Sequence, residues 1–364
     1  MEESTKNSAG LKESPVALVA PLDWGLGHAT RCIPLVKRLS GQGFRVVIAA
    51  EGAQKTILQQ EFPGLRFADL PGYRLRYGRS GWQTTFRIFL QIPKILISIN
   101  REQRWLKRFL EANKVDLVVS DNRYGFRDSS VRSVFITHQL YIKTPFGSLA
   151  ERWLQRMNYG FIEKFDECWV PDHEREENLA GILSHPGRMP AIPLRYLGPL
   201  TRCYKKDIPV KNELLILLSG PEPQRTLLED ILLRELKEYH EPVLFVRGLP
   251  AKPCRNSGAG YSGDPAETSI ESFNGVTVYN HLPSEELNEA MNASRLLIAR
   301  SGYSTVMDAM QLDKQCIFIP TPGQSEQLYL AEYLSAKKRC VFFEQHDFSL
   351  RKALNAAAGI DIIN

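Results

Sequence analysis

Short unbroken apolar runs alternate along this chain with longer stretches whose apolar residues recur every three or four positions. VALVAPL (16–22) is the first run, continuous enough for a strand buried on both faces of a parallel sheet. Next, TRCIPLVKRLSGQG (30–43) has helical spacing and a glycine stop, and FRVVIAA (44–50) is a second buried strand, giving a β-α-β unit. DLVVSD (116–121), SVFITH (133–138) and ECWVPD (167–172) are further strands, with helical patterns between most of them. The first half therefore predicts an α/β layer structure on a mainly parallel sheet.

LRYLGPLTRCYKKDIPVKNE (194–213) mixes proline, glycine and charge without periodicity and suits an interdomain linker. A second alternation then begins. Strands LLILLSG (214–220), PVLFVRG (242–248), VTVYNHL (276–282), RLLIARS (295–301) and QCIFIPT (315–321) are separated by helical patterns, and EQLYLAEYLSAKKR (326–339) is the last of these. The expected units are a polar tail (1–14), a first domain (15–194), a linker (195–212), a second domain (213–340) and a C-terminal segment (341–364). Two such sheets set a cleft between their carboxyl ends, where open α/β folds usually bind ligands. The Gly/Ser-rich loop at 253–275 is long enough to move, closing on a ligand in that cleft.

A length of 364 residues agrees with two domains, and a net charge of +5 does not by itself imply nucleic acid. Cys32, Cys168, Cys203, Cys254, Cys316 and Cys340 form no C-x-x-C pair and lack metal-ligand spacing, as expected of reduced thiols in the cytoplasm. The N-terminus MEESTKNSAGLKES has no apolar core of a signal peptide, and no apolar run approaches the roughly 20 residues of a membrane span.

The candidate chemistry starts at PLDWGLGHATR (21–31). Gly25 and Gly27 follow a strand, as in dinucleotide folds, but Thr30 stands where the third glycine of G-x-G-x-x-G belongs. A tight turn with His28 at the helix start is a second reading. The third is a resemblance. G-x-G-H at the first strand-to-helix turn, RSGYSTVMDAM (300–310) and PTPGQSEQLYLAEYL (320–334) occur in the order found in GT-B glycosyltransferases. They are closest to the family 28 type, which includes enzymes adding N-acetylglucosamine to a lipid-linked peptidoglycan precursor. The resemblance covers nearly the whole chain and implies two Rossmann-like domains facing across a cleft.

Transfer from a nucleotide sugar must stabilise a diphosphate leaving group and deprotonate a hydroxyl. Helix N-termini suit the first task. Ser219, Gly220 and Gln224 in SGPEPQ precede one helix; Arg300, Ser301, Gly302, Ser304 and Thr305 open another, although Ser219 and Ser301 are equally suited to plain N-caps. The resemblance implies that Asp308, six residues past Gly302, holds the donor ribose where the family usually has Glu, and that His281 lies near the base. Gln324, Glu326 and Gln327 suit sugar hydroxyls, and a polar helix start needs them as much. For proton transfer, His28 is a general base or a donor to phosphate. Asp121, at the end of its strand, points into the same cleft as a second base candidate or partner of His28; it also suits a turn-forming role. SDNRYG (120–125) and ITHQ (136–139) resemble acceptor-side motifs of related transferases, which brings in His138. No D-x-D occurs, so neither a metal nor another cofactor is expected.

Residues 74–108 carry Arg74, Arg76, Arg79, Arg87, Lys94, Arg101, Arg104, Lys107 and Arg108 against Glu102 alone, threaded with FRIFLQIPKILISI (86–99). Such a segment suits an anionic membrane surface, and equally a core helix with a solvated basic face. No motif supports nucleic acid. The expected activity is an inverting transfer from a nucleotide sugar, UDP-linked, to a hydroxyl of a carbohydrate or lipid-linked acceptor in cell-envelope or glycan synthesis, at the inner membrane face. A nucleotide-sugar hydrolase is the alternative, since GLGHATRC fits the G-x-G-H-x-x-R-C of certain GT-B-like hydrolases. A 2-epimerase would need further carboxylates around the sugar, and a non-catalytic nucleotide-sugar-binding subunit would have shed the acid-base groups.

Overall fold

A computed structural model describes residues 14–73, 91–249 and 269–359. Among these residues the strands form two seven-stranded sheets. The first has the order β3-β2-β1-β4-β5-β6-β7. Its strands are β1 (Val16–Pro21), β2 (Arg45–Ala50), β3 (Arg66–Asp69), β4 (Leu117–Asp121), β5 (Arg132–Ile136), β6 (Glu167–Val170) and β7 (Leu194–Tyr196), all paired in parallel. The continuous apolar runs are buried on both faces, as a covered parallel sheet requires. Its helices are α1 (Leu26–Gly41), α2 (Gly52–Glu61), α3 (Ile92–Ala112) and α4 (Ser148–Ile162).

The second sheet, order β10-β11-β9-β8-β12-β13-β14, contains β8 (Asn212–Leu217), β9 (Val243–Val246), β10 (Ser269–Phe273), β11 (Val276–Tyr279), β12 (Ser294–Ala299), β13 (Gln315–Phe318) and β14 (Val341–Phe342). With it go α5 (Gln224–Glu235), α6 (Ser284–Asn292), α7 (Tyr303–Gln311), α8 (Ser325–Ala336) and α9 (Leu350–Ala358). Only β10 runs antiparallel, against β11. Two mainly parallel α/β domains are therefore present, as the alternation predicts.

Several boundaries differ from expectation. The first helix starts at Leu26, four residues early, because Gly25 supplies the turn out of β1. Leu194–Tyr196 closes the first sheet instead of opening the linker. Ser269–Phe273, within the expected 253–275 loop, is a strand, and residues 250–268 lie outside the described residues. The segment from 341 is no appendage: β14 extends the second sheet, and Leu350, Ala353 and Ala357 of α9 are buried in that domain's core.

Register fixes where the site forms. Pro21 pairs with Asp121, and Asp121 with Ile136, so β1, β4 and β5 end side by side. On the other sheet Ala299 lies opposite both Leu217 and Phe318. One buried cluster crosses the seam between these two edges, containing Ala29, Ile33, Leu179 and Leu183 from the first domain and Tyr303, Met307 and Leu330 from the second. Burial of each such large side chain contributes about 1.5–3 kcal/mol, so the domains are held in contact.

Candidate active site

Backbone geometry explains the two glycines of the first turn differently. Gly25 has φ +85°, a conformation that favours glycine, although a Cβ there would meet nothing within 4 Å. Gly27 is glycine for want of room: a Cβ would stand 3.0 Å from Ser304 Oγ, which donates 2.9 Å to Gly27 O. The space expected to admit a ligand beside Gly27 is taken by the second domain. His28 follows on the first turn of α1, and Arg31 lies one turn on along the same helix face.

Around them the carboxyl ends of β1, β4 and β5 gather a buried polar cluster. Asp121 is fully buried; its Oδ2 accepts from Arg31 Nε at 2.9 Å and lies 3.1 Å from His28 Nδ1 and 3.7 Å from Cys32 Sγ. Arg31 Nη2 also binds Asp121 Oδ1, making the pair bidentate. Burial opposes the Asp121 charge, but Arg31 and His28 outweigh it and hold the carboxyl down at about 2. For His28, burial pushes the pKa below its ordinary value against the pull of Asp121, with Arg31 adding to the push. Its imidazole is neutral near pH 7 and keeps 15% exposure. Asp121, expected as a base open to the cleft, is instead enclosed behind His28, and its geometry is that of a group that orients the ring.

The cluster continues across the seam. Arg31 Nη1 lies 3.2 Å from His138 Nδ1. A guanidinium can only donate, so His138 Nδ1 accepts and its Nε2 carries the proton, which it donates to Glu326 Oε1 at 2.8 Å. Gln139 Nε2 binds the other oxygen of Glu326. Burial raises the Glu326 pKa, and His138, Arg31 and His28 reverse that shift to a net lowering. Tyr303 stacks on the His138 ring with centroids 4.0 Å apart and donates 2.8 Å to Pro171 O. His28, Asp121, His138 and Glu326, distant in sequence, thus form one network. Arg31, Gln139 and Tyr303 complete it; each lies inside a motif quoted from the sequence, Arg31 as the arginine of G-x-G-H-x-x-R-C, but none was given a role there.

On the second domain, several residues expected to touch a donor are engaged inside the fold. Arg300 is fully buried, donating to the carbonyls of Ile319 (3.0 Å), Pro320 (3.1 Å) and Gln224 (2.8 Å) and to Gln345 Oε1 (2.6 Å). Its side chain ties loops together and faces no cleft. The Gln224 side chain is buried beside it. Ser301 Oγ donates to Gln327 O, and Gln327 Oε1 accepts from Thr321 N while its Nε2 donates to Gln324 Oε1. Asp308 accepts from Thr201 Oγ1 at 2.6 Å and lies 3.6 Å from Arg202 Nε, so it faces the linker where a ribose contact was expected. Burial raises its pKa, partly offset by Arg202. His281 is pushed down to about 4 by burial and by Arg202. Ser219, Gly220, Gly302 and Thr305 remain at partly or fully exposed positions at the starts of the two helices. Gly220 has φ +106°.

Comparison with known proteins agrees with this architecture. Residues 259–358 match the glycosyltransferase family 28 C-terminal domain. An uncharacterized glycosyltransferase of Methanosarcina acetivorans is 22% identical over 336 residues, covering 83% of this chain and 79% of the relative. Among solved structures, the glycotransferase of kitacinnamycin superposes with a TM-score of 0.62 at 14% identity, over 96% of this chain and 91% of that one. Acinetobacter baumannii MurG gives 0.54 at 16%, over 96% and 92%. TcCGT1 in complex with UDP gives 0.58 at 13%, over 95% and 89%. Two facing α/β domains give the chain the GT-B fold, and its residues 259–358 resemble the C-terminal domain of glycosyltransferase family 28.

Proposed function

We propose that the protein is an inverting glycosyltransferase that uses a nucleotide sugar, UDP-linked, and a hydroxyl acceptor. The observation that carries this reading is a neutral His28 on the cleft edge of the first domain, with Asp121 behind its Nδ1 and the family 28 domain opposite. In the proposed step His28 Nε2 takes the acceptor proton, the acceptor oxygen attacks the anomeric carbon, and the bond to the diphosphate breaks. The nucleoside diphosphate leaves with the electron pair, met by backbone N–H groups at the start of α7; at the start of α5 the N–H groups of Arg225 and Thr226 already donate to Pro221 O and Glu222 Oε2. Asp121 stabilises the imidazolium that forms, as an orienting carboxylate does in related acid-base pairs.

The acceptor is taken to be lipid-linked, and the first domain presented to a membrane surface. Support comes from two neighbouring helices. Leu149 (76% exposed), Trp153 (58%) and Met157 (39%) line one face of α4, with exposed Arg152 and Arg156 beside them. On α3, Leu96 and Ile97 are exposed together with Arg101, Arg104, Lys107 and Arg108, while Glu102 is buried against Arg123. The helices meet where Ile95 and Phe161 pack around the same buried cluster. Arg74, Arg76, Arg79 and Arg87 of the basic segment lie outside the described residues. Among the described residues no helix is long and apolar enough to cross a membrane. Contact is therefore proposed to be peripheral, through apolar side chains among cations. Trp153→Ala with Arg152→Glu and Arg156→Glu should release the protein from vesicles containing anionic lipid; unchanged cosedimentation would remove this part of the proposal.

The activity is tested by nucleotide release from UDP-, GDP-, CMP- and dTDP-sugars with and without a polyprenyl-phosphate-linked sugar acceptor. Acceptor-dependent release from a UDP-sugar is expected. Equally fast release without acceptor would make the protein a hydrolase, and binding without turnover a nucleotide-sugar-binding subunit.

A further inference from the structure

His28 can serve as a base only if its cleft-facing nitrogen, Nε2, carries no proton, and the surroundings of Nδ1 are ambiguous on that point. Nδ1 lies 3.1 Å from Asp121 Oδ2, which can only accept, and 2.8 Å from Arg31 Nη2, which can only donate. If Nδ1 accepts from Arg31, Nε2 bears the hydrogen and the ring cannot take a proton from an acceptor. If Nδ1 donates to Asp121, Nε2 is free to do so. The outcome depends on where Arg31 sends its hydrogens.

Asn122 decides this. Turned so that its amide nitrogen donates to Thr137 Oγ1 (2.9 Å) and Ile136 O (3.3 Å), its oxygen accepts from Arg31 Nη2 at 3.1 Å. Arg31 then sends Nε–H and one Nη2–H to Asp121, the other Nη2–H to Asn122 and an Nη1–H to His138. No hydrogen is left on Nη2 for His28, whose Nδ1–H goes to Asp121. Asn122 is held for this at φ +57°, its backbone N–H on Ile136 O at 3.2 Å.

We propose that Arg31, with Asn122 taking up its remaining Nη2 hydrogen, is the positioning residue that sets the proton of His28 on Nδ1 and leaves Nε2 basic. The inference deepens the transferase reading and rests on it only for the use made of Nε2. The charged and titratable groups acting on His28 are Arg31 of α1, Asp121 at the end of β4, His138 after β5 and Glu326 of α8, with Cys32 of α1 against Asp121.

The test is the ¹⁵N spectrum of histidine-labelled full-length protein, with His28 assigned by its absence in His28→Gln. The wild type should show the Nδ1–H tautomer at pH 7. Asn122→Gly, which tolerates the left-handed φ and leaves the Arg31–Asp121 pair in place, should move His28 toward the Nε2–H tautomer. Arg31→Met should raise the His28 titration by about one unit or more, because the nearby cation is gone and Asp121 is left to act alone. Should that variant not fold, Asn122→Gly and the wild type still decide. An Nε2–H tautomer in the wild type, or a His28 spectrum indifferent to Asn122→Gly, would overturn the proposal. None of these readouts uses a sugar donor, so a failed transferase assay and a failed assignment here are separate results.

Discussion

Two buried aspartates, one in each domain, show how differently the halves of this cleft are built. Asp121 sits at the end of β4 under a bidentate Arg31, and its carboxyl is held down at about 2. Asp308 sits on α7, its Arg202 partner 3.6 Å away and a Thr201 hydroxyl in contact; burial leaves its pKa raised. The difference is one of pairing. A carboxylate in a low-dielectric site stays charged only where an aligned cation compensates the desolvation. The first domain keeps such a fixed charge directly behind a histidine, an arrangement suited to moving a proton. In the second domain Ser301, Gln327 and Asp308 are bonded internally and the Nη groups of Arg300 hold four acceptors inside the fold, so what it offers a ligand is backbone and partly exposed polar groups at helix starts.

The contrast is broken or sharpened first by removing the charges. Asp121→Asn should destabilise by about 3 kcal/mol, because it strands Arg31 as a buried, uncompensated cation. Asp308→Asn should cost less, because Arg202 stands 3.6 Å from it without the bidentate grip of Arg31 on Asp121, and urea denaturation of the two variants measures both. Their pH dependences should have opposite signs. The Asp121 contribution is present above the unfolded carboxyl value of about 4 and is lost as pH falls through about 2. That of Asp308, whose folded pKa is raised, is present below about 4 and lost as pH rises through the folded value. Equal and parallel losses in the two variants would mean that the sites do not differ as described.

A smaller effect concerns the seam. Ser304→Ala deletes the bond from Oγ to Gly27 O and should cost about 1 kcal/mol while leaving the fold of each domain intact. Gly27→Ala pushes a methyl to 3.0 Å from the Ser304 hydroxyl, so the double change Gly27→Ala with Ser304→Gly should be better tolerated than Gly27→Ala alone. Thermal melting of the three variants checks the coupling.

Much of the fold was legible because parallel strands covered on both faces read as unbroken apolar runs, as VALVAP and RVVIAA do. The elements that escaped are short or at edges. Leu194–Tyr196 and Val341–Phe342 are half-buried strands of three and two residues, with too little pattern to separate them from loop. His28 and Asp121 were legible as a pair because His28 opens the helix that follows β1 and Asp121 ends β4, the strand beside it. Arg31 was legible only as a letter of its motif and not as a buried partner of Asp121, since a charged residue on a helix usually faces solvent, and only the tertiary fold encloses it. The donor-side residues mark the opposite failure. Arg300, Ser301 and Gln327 belong to motifs at the cleft, yet a motif does not say whether its side chains point at a ligand or hold the loops that do.

The central claim, that the first domain supplies the chemistry and the second the nucleotide site, is tested most directly with His28→Ala in one titration. UDP affinity and donor turnover would be measured on the same preparation. The account predicts nucleotide affinity within a few-fold of wild type and turnover lower by about 10²–10⁴. Turnover within a few-fold of wild type, or a loss of turnover matched by an equal loss of UDP affinity, would contradict it.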